Sequence, residues 1–154
     1  MQHIGALLVF LALVFAAGGF GAQFTPGEWY AALRKPPGTP PNAVFGPVWT
    51  VLYLAIAVAA WWIWRVRHER EAARPALALW GTQLALNALW SYLFFGLHWM
   101  GVALLEIAVL GVLVAWTARR FHALVPSAGL LLLPYLAWVG YASYLNAGLW
   151  WLNR

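Results

Sequence analysis

Five long apolar stretches, separated by short polar connections, account for most of this 154-residue chain. They cover about residues 4–23, 44–64, 75–97, 100–118 and 124–151. Each is close to the roughly 20 mostly apolar residues that an α-helix needs to cross the hydrocarbon core of a membrane. The connections are too short to form a soluble domain, so we predict a single membrane domain over residues 1–154.

The pattern inside these stretches indicates helices and not strands. Strands of a membrane barrel alternate apolar and polar residues over about ten positions, whereas residues 7–17 and 130–133 are apolar on every side. Only helices and closed barrels satisfy their backbone groups in lipid. We therefore predict an all-α membrane protein, a bundle of five transmembrane helices. The first stretch lacks the basic residues of a signal peptide, so we expect it to be a span although Ala22 resembles a cleavage residue.

The first connection, residues 23–43, is the only long one, and it holds five of the nine prolines. Because proline fixes φ and removes a hydrogen-bond donor, this Pro-rich loop should be stiff. The sequence TPGE at residues 25–28 has the form of a capped helix start with Thr25 as the N-cap, and it predicts a short helix over about residues 26–33. The loop is either an aromatic lid over one end of the bundle or a simple connector, and the pattern leaves both open.

The few charged residues, 8% of the chain, predict the topology. Basic residues of membrane proteins concentrate on the cytoplasmic side, which accounts for the net charge of +5 without a nucleic-acid partner. With five spans, the side that holds the N-terminus carries Arg65, Arg67, Arg70, Arg74, Arg119 and Arg120, against Arg34, Lys35 and Arg154 on the other. We therefore predict a cytoplasmic N-terminus and a C-terminus outside.

Polar and aromatic residues at membrane depth fall on single faces of three predicted helices. The faces carry, in chain order, Trp49 and Tyr53; Gln83, Asn87, Trp90 and Ser91; and Tyr135, Trp138, Ala142 and Asn146. Amides at such positions often only join helices, for about 0.6–2 kcal/mol each. Tryptophan beside them adds a large apolar surface and one N–H donor, which suits a pocket for a flat apolar ligand.

The residues give little support for catalysis, proton transfer or metal binding. The chain has no cysteine, which removes thiolate nucleophiles, disulfides and iron–sulfur clusters. No pair of carboxylates exists for general acid–base catalysis. Glu106 is the only acidic residue in a predicted span, and without an ionisable partner at that depth a proton relay is not expected. The histidines lie at span ends, so no axial ligand for haem iron and no metal site is predicted; they are His3, His68, His98 and His122.

Three segments carry a family resemblance: WYAALRKPPGTPPNAVFGPVWTVLY (residues 29–53), QLALNALWSYLFFG (83–96) and PYLAWVGYASYLN (134–146). Together they resemble the TspO/MBR family, the tryptophan-rich sensory proteins of bacteria, which are similar to the mitochondrial translocator protein. The resemblance implies a five-helix bundle in a bacterial membrane, usually a homodimer, with the first loop over a pocket. It also implies porphyrin ligands, sterols in some members, and isoquinoline and benzodiazepine drugs.

The resemblance also assigns a ligand-binding site, at Trp49, Tyr53, Asn87, Trp90, Trp138, Ala142 and Asn146. Ala142 would be the small position that lets a ligand lie against the last helix. The ligand would be a porphyrin, protoporphyrin IX or haem, held by stacking and shape without iron ligation, and no further cofactor is required. The chain departs from the family at Pro37-Gly38-Thr39 and Ala43, where aromatic residues are frequent, and Ala147 breaks the sterol-recognition pattern of animal members.

These observations favour a membrane sensor or translocator that binds tetrapyrroles. Two alternatives stay open: a light-dependent porphyrin-degrading enzyme with buried tryptophan as the electron donor, and a regulatory membrane subunit without a ligand of its own. A homodimer is expected through the third helix, because small residues permit close approach of helices. The residues concerned are Ala78, Gly81, Thr82 and Ala85.

Overall fold

The computed structural model describes residues 2–154, and no strand occurs among them. The helices are α1 (Gln2–Gly21), α2 (Glu28–Ala32), α3 (Asn42–Arg65), α4 (Ala73–Ser91), α5 (Met100–Leu124), α6 (Pro126–Leu131) and α7 (Leu133–Leu152). A π-helical turn, Tyr92–Gly96, continues α4. The prediction of an all-α protein is confirmed.

Four helical segments are long and apolar enough to cross a membrane: His3–Gly21, Asn42–Arg65, Met100–Leu124 and Pro126–Leu152. The chain is therefore an integral membrane protein. The third predicted stretch, residues 75–97, is helical but is not among these four, because Gln83 and Asn87 lower its apolar character. The count of five spans is not confirmed by length and composition.

Two predicted helix ends differ from the structure. The fourth stretch was expected to end near residue 118, but α5 continues to Leu124 and carries Arg119 and Arg120 on its last turns. Long basic side chains can keep their stems on apolar surface and their charge in water, so they do not force a helix to end. The fifth stretch is divided into α6 and α7 at Leu132. Pro134 lacks the N–H that would join the two helices by a regular hydrogen bond.

The first connection contains the short helix α2, inside the interval of residues 26–33, but its start was predicted wrongly. Gly27 and not Thr25 is the N-cap, and no side chain caps the helix. Gly27 has an extended backbone, with φ −111° and ψ −158°. This conformation separates Thr25 and Pro26 from the helix, so the hydroxyl of Thr25 cannot serve as its cap.

The packing leaves space at one end of the bundle. Helix α1 packs against α3 and α4, while α5 packs against α4 and α7. Toward the C-terminal ends of α3 and α5, the interior is filled by fully buried side chains such as Ile56, Ile63 and Phe121. At the end where α1 stops and α3 begins, a separate aromatic cluster around Tyr30 and Phe94 holds α2 against the bundle.

The outer surface is apolar, as a lipid environment requires. Leu105, Val112 and Val51 are large apolar side chains that are 72%, 66% and 65% exposed. They lie on two different helices, and many similar residues surround the bundle. Soluble monomers rarely expose continuous apolar surface of this extent, so these faces contact the bilayer.

Candidate ligand-binding site

A cavity of about 570 Å³ lies between α1, α3, α4 and α7, below the first connection. Its volume falls within the roughly 300–1,000 Å³ that is usual for small-molecule sites. Every residue that the family resemblance assigned to a ligand site lines this one cavity. They are Trp49, Tyr53, Asn87, Trp90, Trp138, Ala142 and Asn146.

Aromatic rings form the wall on the side of α3. Trp49 and Tyr53 are one helical turn apart and therefore share a face. Their rings stack, with centroids 5.3 Å apart and an interplanar angle of 29°. From the same helix, Phe45 meets Trp138 of α7 edge to face at 6.0 Å. The cavity thus presents broad, flat apolar surfaces from two helices.

A chain of hydrogen bonds joins α3, α4 and α7 beside the cavity. The Tyr53 hydroxyl donates to Asn87 Oδ1 at 2.9 Å, and Asn87 Nδ2 donates to the Tyr135 hydroxyl at 3.1 Å. Tyr135 in turn donates to Gln83 Oε1 at 2.7 Å. Tyr135 and Gln83 are fully buried and do not line the cavity, so their amide and hydroxyl groups join helices. Asn87 does both.

A second pair of side chains joins the other end of α4 to α7. The indole N–H of Trp90 donates to Asn146 Oδ1 at 3.1 Å, and Asn146 Nδ2 donates to the carbonyl of Met100 at 2.8 Å. Trp90 also stacks on Phe94, with centroids 5.0 Å apart. Because its single donor is already engaged, Trp90 offers the cavity an apolar ring and no hydrogen bond.

The cavity is neutral along its described wall: none of the residues that line it is charged, and none is a histidine. Three histidines have contacts elsewhere. His98 stacks on Trp29 with centroids 3.9 Å apart, His3 meets Trp64 edge on, and His122 Nδ1 pairs with the Pro126 carbonyl. This wall can hold a flat apolar molecule by stacking and burial, with a few neutral polar contacts.

Glu106 lies outside the cavity wall. Both of its carboxylate oxygens are buried, and neither forms a hydrogen bond within the part of the chain that the structure describes. The same holds for Nε2 of Gln83. Neither the Glu106 carboxylate nor Gln83 Nε2 takes part in the chain of hydrogen bonds that runs from Gln83 Oε1 to Tyr53 at the cavity.

Residues 22–41, which we call the lid, close one end of the cavity. Phe24, Thr25, Pro26 and Tyr30 of the lid all line it. Of the two interpretations that the sequence left open, an aromatic cover therefore describes the geometry better than a simple connector. Burial raises the pKa of the Tyr30 phenol above its usual range, and the nearby Tyr141 adds to the rise.

Two tyrosines of α7, and Asn153 directly after it, hold the lid in place by hydrogen bonds to the lid backbone. Tyr141 donates its hydroxyl to the Gly38 carbonyl, and Tyr144 donates to the Pro37 carbonyl at 3.0 Å. Asn153 accepts from the Arg34 N–H and donates to the Arg34 carbonyl, both at 2.9 Å. Sequence reasoning missed these contacts because a side chain that binds a distant backbone carbonyl leaves no periodic signal.

Two glycines mark close approaches around the cavity. A Cβ at Gly148 would lie 2.6 Å from Pro36 Cβ, so glycine lets the lid rest directly on α7. A Cβ at Gly18 would lie 2.6 Å from the ring of Tyr53. Sequence reasoning missed the contribution of α1 to the cavity, since this helix carries no polar residue at depth. The only available signal was the glycine-rich segment GGFG at 18–21.

Comparison with known proteins gives consistent matches over nearly the whole chain. A family model described as the TspO/MBR family matches residues 8–152. Translocator protein from Bos taurus is 43% identical over 148 residues, which cover 92% of this chain and 87% of that protein. Tryptophan-rich protein TspO from Archaeoglobus fulgidus is 40% identical over 154 residues, which cover 99% of this chain and 97% of that protein. Protein CrtK from Rhodobacter capsulatus is 37% identical over 145 residues, which cover 94% of this chain and 91% of that protein.

Proposed function

Since the chain belongs to the TspO/MBR family, we propose that it is a membrane sensor or translocator that binds a porphyrin in the cavity under the lid. The observation that carries the proposal is the cavity itself, of about 570 Å³, neutral along its described wall, with Trp49, Trp90 and Trp138 on three sides. A flat apolar ring system matches such walls. Sterols and isoquinoline or benzodiazepine drugs are further ligands of suitable size and polarity.

The expected affinity follows from stacking and burial. Each aromatic pair adds about 0.5–1.5 kcal/mol beyond the burial of area, and three tryptophans border the cavity. Together with burial of a large ring, this predicts roughly micromolar affinity, equivalent to about −8 kcal/mol. The porphyrin would be protoporphyrin IX or haem, and no metal ligand from the chain enters the proposal.

The decisive experiment is a titration of intrinsic tryptophan fluorescence with protoporphyrin IX in detergent. Trp138→Ala should raise Kd by about fivefold or more, because it removes one stacking surface. Trp116→Ala is the matched control, since Trp116 is 50% exposed on α5 and does not line the cavity. Equal affinities of the two variants would place the porphyrin elsewhere.

The same titration separates the alternatives. If protoporphyrin does not bind at all, a regulatory subunit without a ligand becomes the better hypothesis. If it binds, illumination of the complex followed by product analysis tests light-dependent degradation, for which a buried tryptophan would donate the electron. Porphyrin that stays intact after illumination would exclude the degrading enzyme and favour a sensor or translocator.

We further propose that α4 with its π-helical turn is the fifth span of a single membrane domain covering residues 1–154. The segment Ala73–Gly96 is about 36 Å long at 1.5 Å per residue, sufficient for the bilayer core. Its polar residues Gln83 and Asn87 are buried and bonded to other helices, so they do not face lipid. The distribution of basic residues supports an N-terminus in the cytoplasm, and the family resemblance supports a bacterial membrane. A reporter fused after Arg154 should be active only when exported.

A homodimer through α4 is part of the proposal. Ala78, Thr82 and Ala85 are exposed on this helix, and a Cβ at Gly81 would meet nothing within 4 Å. Small residues on an exposed face let two helices approach closely. Mass measurement in lipid nanodiscs should show two chains per particle, and Ala85→Leu should shift the population to monomers. Monomers alone at several lipid ratios would contradict the dimer.

A further inference from the structure

A second groove lies at the end of the bundle opposite the lid, where the first turns of α1 meet the end of α3. It has a volume of about 430 Å³. One wall is apolar and comes from α1, and the other ends in a tryptophan and an arginine. The groove is lined by Gly5, Ala6, Val9, Phe10, Trp64 and Arg67.

Arg67 is held at the mouth of this groove by two contacts with Trp64. Its guanidinium lies 3.3 Å from the centroid of the indole ring, and Nη1 donates to the Trp64 carbonyl at 2.8 Å. That hydrogen bond uses one of the five N–H donors of a guanidinium. A positioned guanidinium matches the geometry of a phosphate with paired hydrogen bonds, and its planar shape loses little freedom on binding.

The remainder of the groove suits an acyl chain. Phe10 is buried and forms its floor, where it packs edge to face on Trp80 of α4. Val9 is 58% exposed, and a Cβ at Gly5 would meet nothing within 4 Å. Because α1 is long and apolar enough to be a span, this open apolar surface runs from the end of the helix toward the bilayer interior.

The charge around the mouth selects the headgroup. Arg65 is the last residue of α3, Arg70 lies with Arg67 in the connection that follows, and Arg74 lies in the first turn of α4. The acidic residues of this segment are Glu69 and Glu71. The excess is positive, and basic pockets between helices at the membrane surface favour anionic lipid headgroups. A zwitterionic headgroup would bring a cation into the same positive region and gain less.

We propose that this groove binds an anionic phospholipid, with the phosphate on Arg67 and one acyl chain along α1. The site is separate from the cavity under the lid, at the other end of the bundle, and does not depend on the porphyrin proposal. Its recognition has two parts, a guanidinium for the phosphodiester and an apolar surface for the chain, and each part can be removed without the other.

The test is native mass spectrometry of the full chain in detergent, titrated with phosphatidylglycerol or with phosphatidylcholine of the same acyl chains. The first bound phosphatidylglycerol should be tighter by about fivefold or more. Arg67→Gln should remove that preference. Arg120→Gln is the matched control, because Arg120 also lies over a tryptophan, Trp116, but does not line the groove; it should change the affinity by less than about twofold.

A second variant tests the acyl-chain part and covers the case in which Arg67→Gln fails to fold. Gly5→Leu places a side chain where the structure has open space, so the fold should persist while the groove is filled, and phosphatidylglycerol affinity should fall by about fivefold or more. Free glycerol phosphate should not compete. The proposal is overturned by equal wild-type affinity for the two lipids, by unchanged binding in Gly5→Leu, by equal effects at Arg67 and Arg120, or by displacement with glycerol phosphate.

Discussion

Replacement of Ala142 by leucine gives the sharpest test of the cavity as a ligand site. Ala142 lies on α7 between Trp138 and Asn146 and lines the cavity with its methyl group. A leucine there would extend into space that the protein itself does not fill. The fold should therefore accept the change, whereas a ligand that lies against α7 would meet the added carbon atoms.

The magnitude follows from the cost of excess packing. Additional methylene groups in a filled site usually cost about 1–3 kcal/mol, and this cost falls on the complex and not on the empty protein. Since about 1.4 kcal/mol changes an equilibrium constant tenfold, the Kd for protoporphyrin should rise roughly 5- to 140-fold. The melting temperature without ligand should stay close to that of the wild type.

The assay compares Ala142→Leu with Ala108→Leu, the same substitution at an exposed position of α5 that does not line the cavity. Both variants are titrated with protoporphyrin by fluorescence quenching, and both are melted without ligand. A stable Ala142→Leu protein with the affinity of the Ala108→Leu control would refute the reasoning and move the ligand to another site.

Three further predictions concern the lid, the hydrogen bonds and the metal. Gly148→Ala should displace Pro36, which lies 2.6 Å from the added Cβ, and should speed porphyrin dissociation in stopped-flow measurements; an unchanged rate would mean that ligand release does not involve the lid. Tyr53→Phe removes the 2.9 Å hydrogen bond to Asn87 and should lower the free energy of unfolding by about 0.6–1.7 kcal/mol in denaturant titrations. Protoporphyrin and haem should bind within about tenfold of each other, and His98→Ala should preserve both affinities; a much tighter haem complex with a six-coordinate spectrum would contradict binding without iron ligation.

Much of the fold was predictable because lipid imposes a strong pattern on sequence. Apolar runs of span length identified the long helices, but some helix ends were displaced and the fifth run is divided into α6 and α7. The end of α5 was missed because Arg119 and Arg120 looked like a connection, although arginine favours helices and its long side chain can reach water from inside the last turns. The break at Leu132 follows from Pro134 but has no counterpart in the hydrophobic pattern, which is continuous there.

The candidate site was predictable only on the helices where polarity stands out. Trp49, Asn87, Trp90 and Asn146 are conspicuous because polar and amphipathic side chains are rare at membrane depth. The wall from α1 has no such marker, and its contribution depends on glycine at position 18, where absence of a side chain makes room for Tyr53. Periodicity reports on faces of helices, whereas space between helices depends on packing in three dimensions.

The buried amides show that two interpretations of a polar stripe need not exclude each other. Asn87 lines the cavity and at the same time bonds to Tyr53 and Tyr135, so it contacts a ligand space and joins three helices. Loss of its side chain would therefore lower both stability and affinity, and the two effects could not be separated. Ala142 makes no side-chain hydrogen bond and lines the same cavity. For this reason an alanine, chemically the least notable residue of the seven, distinguishes a ligand site from a structural contact better than the polar residues that drew attention to it.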